Sequence, residues 1–167
     1  TATDLAGCTT TATLTLTEPS AISATAGSQA VTCFGSATGS VSVNVSGGTG
    51  AYTYHWSPGN STLATVTGLV AGNYTVTVRD ANNCTGTSQT SVTQPTAISL
   101  NVSSTPSTCG QADGTAGVIA SGGTSSYSYQ WSPSGGNASS ATNLGAGTYT
   151  VTVADANNCS ATATVSV

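Results

Sequence analysis

Apolar and polar residues alternate along much of the chain. Val41, Val43 and Val45 are separated by Ser42 and Asn44, and Tyr74, Val76 and Val78 by Thr75 and Thr77. A period of two puts one set of side chains on one face, so these runs predict half-buried β-strands. Tyr52, Tyr54 and Trp56 share a face with Thr53 and His55 opposite, and another strand is expected around Leu63–Leu69. Turns fall at Gly47-Gly-Thr-Gly50, at Gly72 and at Asp80-Ala-Asn-Asn83, residue types that tolerate tight-turn backbone angles. No stretch has helical periodicity.

The same pattern then returns. Tyr52-Thr-Tyr-His-Trp-Ser-Pro58 recurs as Tyr127-Ser-Tyr-Gln-Trp-Ser-Pro133, and Asn73–Cys84 as Thr148–Cys159, at an offset of 75 or 76 residues. Cys33 and Cys109 keep that offset. A repeat of this length is a small domain, so the chain reads as an array of beads with no single active cleft. Three pieces follow: 1–19, the C-terminal strand of a preceding module; 20–95, a full module; and 96–167, a second. Pro19 and Pro95 lack a backbone donor and suit strand ends that must stop pairing. Leu69-Val-Ala-Gly-Asn-Tyr74 and Leu144–Tyr149 resemble the tyrosine corner of immunoglobulin-like sandwiches. The expected fold is all-β, with tandem immunoglobulin-like β-sandwiches of six or seven strands each.

Composition narrows function. Arg79 is the only basic residue against five acidic ones, and the net charge is −4. Nucleic-acid binding needs several cations on phosphates, so that partner class is excluded, and an anionic membrane surface is disfavoured. No apolar run approaches the roughly 20 residues that span a bilayer, so membrane insertion is not expected. The first residues lack a signal-peptide pattern, so the sequence reads as a mature or excised segment. Solubility rests on hydroxyls and amides. Seven Asn-x-Ser/Thr patterns, at Asn44, Asn60, Asn73, Asn83, Asn101, Asn137 and Asn158, are no more than this Ser/Thr content produces by chance.

Five cysteines sit at module-fixed positions with one histidine and no Cys-x-x-Cys. Zinc needs clustered ligands, so disulfides in an oxidising compartment are the better reading. The candidates are Cys33, Cys84, Cys109 and Cys159, with Cys8 left to an upstream or neighbouring partner. Parity decides the connectivity. One strand between Trp56 and Tyr74 puts Cys33 and Cys84 at the same end of the sandwich. An extra short strand puts them at opposite ends, and pairing then runs between stacked modules, as in Cys33 with Cys159. The first arrangement is the expected one, giving Cys33–Cys84 and Cys109–Cys159. A module of about 75 residues has a barely adequate core. Closing a loop of roughly 50 residues would add about 4 kcal/mol.

Candidate chemistry is sparse. Asp80 and Asp155 with their asparagines could offer oxygens to Ca²⁺, but each turn supplies one carboxylate where calcium wants six to eight ligands. A turn capped by its own Asp is expected instead. Trp56 and Trp131 belong in the core, whereas Tyr52 and Tyr127, nearest the turn, are the expected ligand contacts if the modules bind glycans or surfaces. His55 is replaced by Gln130, so no role common to both modules depends on it. The Gly-rich loops precede strands and lack a following Lys, unlike phosphate loops. No catalytic residues, metal site or cofactor is expected.

The order Cys, Gly-Gly-Thr, Tyr-x-Tyr-x-Trp-Ser, Leu-x-x-Gly-x-Tyr-Thr-Val-Thr-Val, Asp-Ala-Asn-Asn-Cys resembles the SprB-type repeat of large surface adhesins in gliding and related Bacteroidota. The resemblance covers both modules and the tail. It implies export to the cell surface by type IX secretion and a non-catalytic part in adhesion, gliding motility or an extracellular filament, with self-association or neighbouring modules as partners. A structural repeat is the first reading, and a module binding glycans or surfaces directly is the alternative. Thr9–Thr17 could be a strand donated to a neighbouring subunit, although Ser160–Val167 would fill the receiving slot; a window on a longer repeating chain is the plainer account.

Overall fold

The computed structural model describes residues 1–167 and contains strands, turns and no helix. A first hairpin pairs β1 (Ala2–Thr3) with β2 (Thr9–Thr10). The first sandwich follows: β3 (Ser23–Gln29), β4 (Gly39–Ser46), β5 (Thr53–Ser57), β6 (Thr65–Leu69), β7 (Gly72–Arg79) and β8 (Thr85–Val92). The second has β9 (Ser99–Thr105), β10 (Gly114–Ser121), β11 (Ser128–Ser132), β12 (Ser140–Leu144), β13 (Thr148–Ala154) and β14 (Ser160–Ser166). Each sandwich faces two three-stranded antiparallel sheets, ordered β3-β4-β6 and β5-β7-β8 in the first, β9-β10-β12 and β11-β13-β14 in the second.

The alternation read from the sequence is the alternation of burial. Val41, Val43, Trp56, Tyr74, Val76 and Val78 are buried in one core, and Ala116, Val118, Trp131, Tyr149, Val151 and Val153 in the other. The two sheets of each sandwich meet at one edge, where side chains join strands that make no ladder: Ala26 N–H donates to Ser88 Oγ (3.0 Å) and Ser104 Oγ–H to the Ser166 carbonyl (2.7 Å). Tyr74 donates its hydroxyl to the Val70 carbonyl (3.1 Å) and Tyr149 to that of Gly145 (3.2 Å). These are tyrosine corners, and each module is an immunoglobulin-like β-sandwich.

Strand direction decides which ends the turns occupy. Call the end at Ser23 the base and the end at Gln29 the top. β3 rises, β4 descends, and β5 rises because Thr53 pairs with Arg79 at the base of β7. β6 also rises, since Thr65 faces Ser42 and Leu69 faces Gly39 at the top of β4. Two consecutive rising strands need a return between them. The segment Pro58–Ala64 supplies it without forming a strand: Trp56 N–H bonds the Ser61 carbonyl (2.9 Å), Trp56 Nε1–H that of Leu63 (2.9 Å), and Val43 N–H that of Ala64 (3.0 Å). β7 therefore descends and delivers Cys84 to the base, while Cys33 stays at the top.

This overturns the expected pairing within modules. The only strand between Trp56 and Tyr74 is β6, yet the irregular return reverses the parity just as an extra strand would. Cys33 and Cys84 lie at opposite ends, as do Cys109 and Cys159. The disulfide runs from Cys33 at the top of the first module to Cys159 at the base of the second, with a Cα–Cα distance of 5.6 Å. The tail also differs from expectation. Of Thr9–Thr17 only Thr9–Thr10 form a strand, and Leu14 and Leu16 are exposed, because no other strand of the chain lies beside them.

Candidate functional site at the module junction

The junction is built from two loops and a linker. Cys33 sits in the loop between β3 and β4, a loop tied locally by Thr32 N–H to Thr38 Oγ1 (2.9 Å) and by Ser36 Oγ–H to the Cys33 carbonyl (2.9 Å). The linker leaving β8 runs beside it. Val31 N–H donates to the Thr93 carbonyl (3.0 Å) and Gly35 N–H to Gln94 Oε1 (3.0 Å). The modules are thus joined by two covalent struts, the peptide through Pro95 and the Cys33–Cys159 bond. A single linker leaves bending and twisting free, whereas two separated attachments restrict both.

Cys159 is presented by a turn that its own sequence rigidifies. Asp155 Oδ1 accepts from the amides of Asn157 and Cys159 (both 2.9 Å), and Oδ2 accepts from the Thr124 amide (2.9 Å) in the Gly-rich turn between β10 and β11. One carboxylate therefore fastens two base loops together. The Thr124 amide is the chief cause holding the Asp155 carboxyl below its usual range; burial opposes it, and the Cys159 and Asn157 amides add to it. Gly123 is required here: its φ is +61°, and a Cβ would lie 2.7 Å from Asp155 Oδ2 and 2.9 Å from Ile98. Asn157 Nδ2 reaches across to the Thr32 carbonyl (3.3 Å). A cleft of about 410 Å³ opens beside the disulfide, lined in part by Phe34, Pro95, Ala97 and Ile98.

The first module repeats this base. Asp80 Oδ1 accepts from Asn82 N (2.9 Å) and Cys84 N (2.8 Å), and Oδ2 from Thr49 N (2.9 Å). Burial pushes the Asp80 carboxyl up, and the Thr49, Cys84 and Asn82 amides outweigh it, leaving it low. The N-terminal hairpin has the turn without the clamp: Asp4 Oδ1 accepts from Ala6 and Cys8 amides, both at 2.9 Å. The turn reading of the Asp-Asn segments is thus the structural one, with both carboxylate oxygens occupied by amides.

The other residues singled out lie as follows. Cys8, Cys84 and Cys109 are free and exposed. Trp56 and Trp131 are core, their indole N–H groups held by carbonyls of the return segments. Tyr52 and Tyr127 are half-buried and donate their hydroxyls to the Gly47 and Gly122 carbonyls of the base turns, which puts Tyr127 on the turn that Asp155 fastens to the Cys159 loop. His55 is exposed on the outer face of β5. Sequence reasoning missed the junction partners Phe34, Gln94 and Asn157. One signal was present: the repeat offset drops from 76 at Cys33/Cys109 to 75 at Gly35/Gly110, which marks Phe34 as an extra residue.

Two segments, residues 25–61 and 101–138, match the family model described as the SprB repeat. The chain carries two SprB-type repeat modules. This family comprises non-catalytic modules of cell-surface proteins, and the intact disulfide agrees with an extracellular setting. No curated protein matches the sequence. Among solved structures, the chain is similar to the C-terminal 282-residue fragment of intimin, solved in complex with the intimin-binding domain of the translocated intimin receptor. Identity is 17% and TM-score 0.40, over 89% of this chain and 64% of that one. A Dscam structure aligns at 14% identity and TM-score 0.34, over 89% of this chain and 46% of that one. The chain thus spans less than two thirds of either.

Proposed function

We propose that the chain is a structural repeat of an extracellular bacterial filament or stalk-like adhesin, exported by type IX secretion, in which disulfides between modules limit extension. The observation that carries this reading is the position of the Cys33–Cys159 bond. It lies across a junction, and it shunts load past the polypeptide between its ends. When the chain is pulled from its termini, force entering at Cys33 crosses directly to Cys159, and the 126-residue separation bears none of it. The strands from β4 to β13 and the linker are then unloaded, and the pull runs along β3 and β14. A bond inside one module would have protected only that module.

The near absence of charge supports the same reading. One cation and five anions leave no electrostatic barrier to close lateral approach of neighbouring modules. The outward faces of the strands carry hydroxyls, and no long loop stands apart from the scaffold as a dedicated binding site.

Single-molecule force extension tests this. The oxidised chain should release only the residues outside the Cys33–Cys159 span. Addition of reductant should lengthen the unfolded contour by 126 residues, about 440 Å at the reach of an extended chain. Equal extension with and without reductant would refute the load-shunting role.

A further inference from the structure

The bonded pair has unbonded counterparts. Cys109 stands at the top of the second module where Cys33 stands in the first, and Cys84 stands at the base of the first where Cys159 stands in the second. Resting on the filament reading above, we propose that Cys109 and Cys84 are the two halves of a further junction disulfide. It closes between two copies of this chain stacked head to tail, Cys109 of one copy on Cys84 of the next.

Three observations support it besides the free thiols. The first is that the base presenting Cys84 is the same device as the one presenting Cys159. Asp80 accepts from the Asn82, Cys84 and Thr49 amides as Asp155 does from the Asn157, Cys159 and Thr124 amides. The thiol is therefore held where a bonded half-cystine is held one module later.

The second concerns the loop around Cys109. Thr108 N–H and Oγ1–H donate to Asp113 (2.8 and 2.7 Å), where Thr32 uses Thr38 in the bonded loop. Its fold does not depend on an existing bond.

The third is the linker. At the internal junction Gly35 N–H is accepted by Gln94, the residue before Pro95. The residue before Pro19 is Glu18, so an incoming copy brings an acceptor to the same place, opposite the amide of Gly110.

The chemistry balances with an external disulfide such as oxidised glutathione. The Cys109 and Cys84 thiols lose two protons and two electrons as the S–S bond forms, and the oxidant's bond breaks to leave two thiols. Cys84 and Cys109 lie inside the Cys33–Cys159 span, so load entering a copy at one and leaving at the other runs along β8, the linker and β9, with the internal bond bridging that junction in parallel.

The test uses the full chain incubated with oxidised glutathione, followed by non-reducing electrophoresis and peptide mapping. The expected result is a reductant-sensitive ladder in steps of 16.1 kDa, with a Cys84–Cys109 cross-linked peptide beside the internal Cys33–Cys159 one. Cys84→Ser and Cys109→Ser should each abolish the ladder, and their equimolar mixture should stop at a dimer. Cys8→Ser should leave it intact. Monomer alone, symmetric Cys84–Cys84 or Cys109–Cys109 links, or a ladder persisting in Cys84→Ser would overturn the proposal. If the internal peptide is still found in those digests, the failure belongs to this inference and not to the load-bearing function.

Discussion

The two modules share the hydrogen bonds that fix their tryptophans, corners and base turns, and differ in how they fill space. Each has the tryptophan N–H on the return segment, the tyrosine corner and the aspartate clamp, at equivalent positions. Their cores are not alike. Val41, Val45 and Val66 of the first module are Ala116, Ala120 and Ala141 in the second. The lost volume is recovered partly from the return loop. Where the first module has Asn60, the second has Gly135 at φ +124°, and a Cβ there would come within 2.8 Å of the Ala141 Cβ and 2.9 Å of the Trp131 Cβ. The loop sinks onto the sheet as the sheet's side chains shrink. Polar contacts tolerate little change because an unmet buried donor costs on the order of 1–3 kcal/mol. Apolar volume can be traded between neighbours if the sum is kept.

That contrast predicts that the tryptophans matter equally in both modules. Trp56→Ala and Trp131→Ala should each cost about 3–5 kcal/mol, enough to unfold a small module. Each variant should lose one of two unfolding amplitudes in a denaturant titration followed by the remaining tryptophan. If either variant loses both amplitudes, the modules are one cooperative unit and the comparison between them dissolves.

The junction disulfide should come next in size and should act on both modules. With one module folded, the bond tethers the unfolded other into a loop of roughly 60 residues, worth about 4 kcal/mol by chain entropy. Reduction, or Cys33→Ser, should lower both transitions in a calorimetric scan by similar amounts. A shift confined to one module would show that the bond acts by local packing around Phe34 and Ile98 instead.

The volume trade has a sharper test. Ala141→Val alone should destabilise the second module by about 1–3 kcal/mol, since the added methyls meet Gly135. Gly135→Asn alone collides with Ala141 and Trp131 in the same way. Made together, the two recreate the first module's choice of Val66 with Asn60, and their combined cost should fall below the sum of the singles. Additive costs in urea midpoints would mean the two positions do not exchange volume.

Much of this was legible in the sequence, and the failure was local. Strands β4, β5 and β7 declare themselves because one face is buried and the other wet, which forces alternation. Tyr74 and Tyr149 declare the corners through their spacing from Leu69 and Leu144. The return at Pro58–Ala64 declares nothing. Its bonds use its own carbonyls, which any residue supplies, and its side chains are mostly exposed. Parity hangs on that segment, so the alternation points to the wrong connectivity: of the four candidate cysteines Cys33 and Cys159 bond each other, and Cys84 and Cys109 are free. The junction contacts were invisible for a related reason: Gln94, Asn157 and Phe34 gain meaning only when two module ends meet.

The smallest effect is the dependence on acid, and it separates clamped from unclamped turns. The Asp80 and Asp155 carboxyls are held low in the folded chain, so the unfolded chain binds protons more readily. Their contribution is fully present above the ordinary Asp value of about 4 and is lost as pH falls through the lower folded value. Both modules should therefore lose stability below about pH 4, the second also through Asp113, which the Thr108 hydroxyl and amide hold low. Asp80→Asn should weaken the first module at neutral pH, because an amide has one acceptor oxygen for three donors, and should flatten that module's acid dependence while the second keeps its own. Asp4 makes the same turn bonds without a clamped partner loop, so Asp4→Asn should leave both transitions where they were. A shift in either module from that distant change would show that the turn bonds, and not the bridge to Thr49 and Thr124, are what acid attacks.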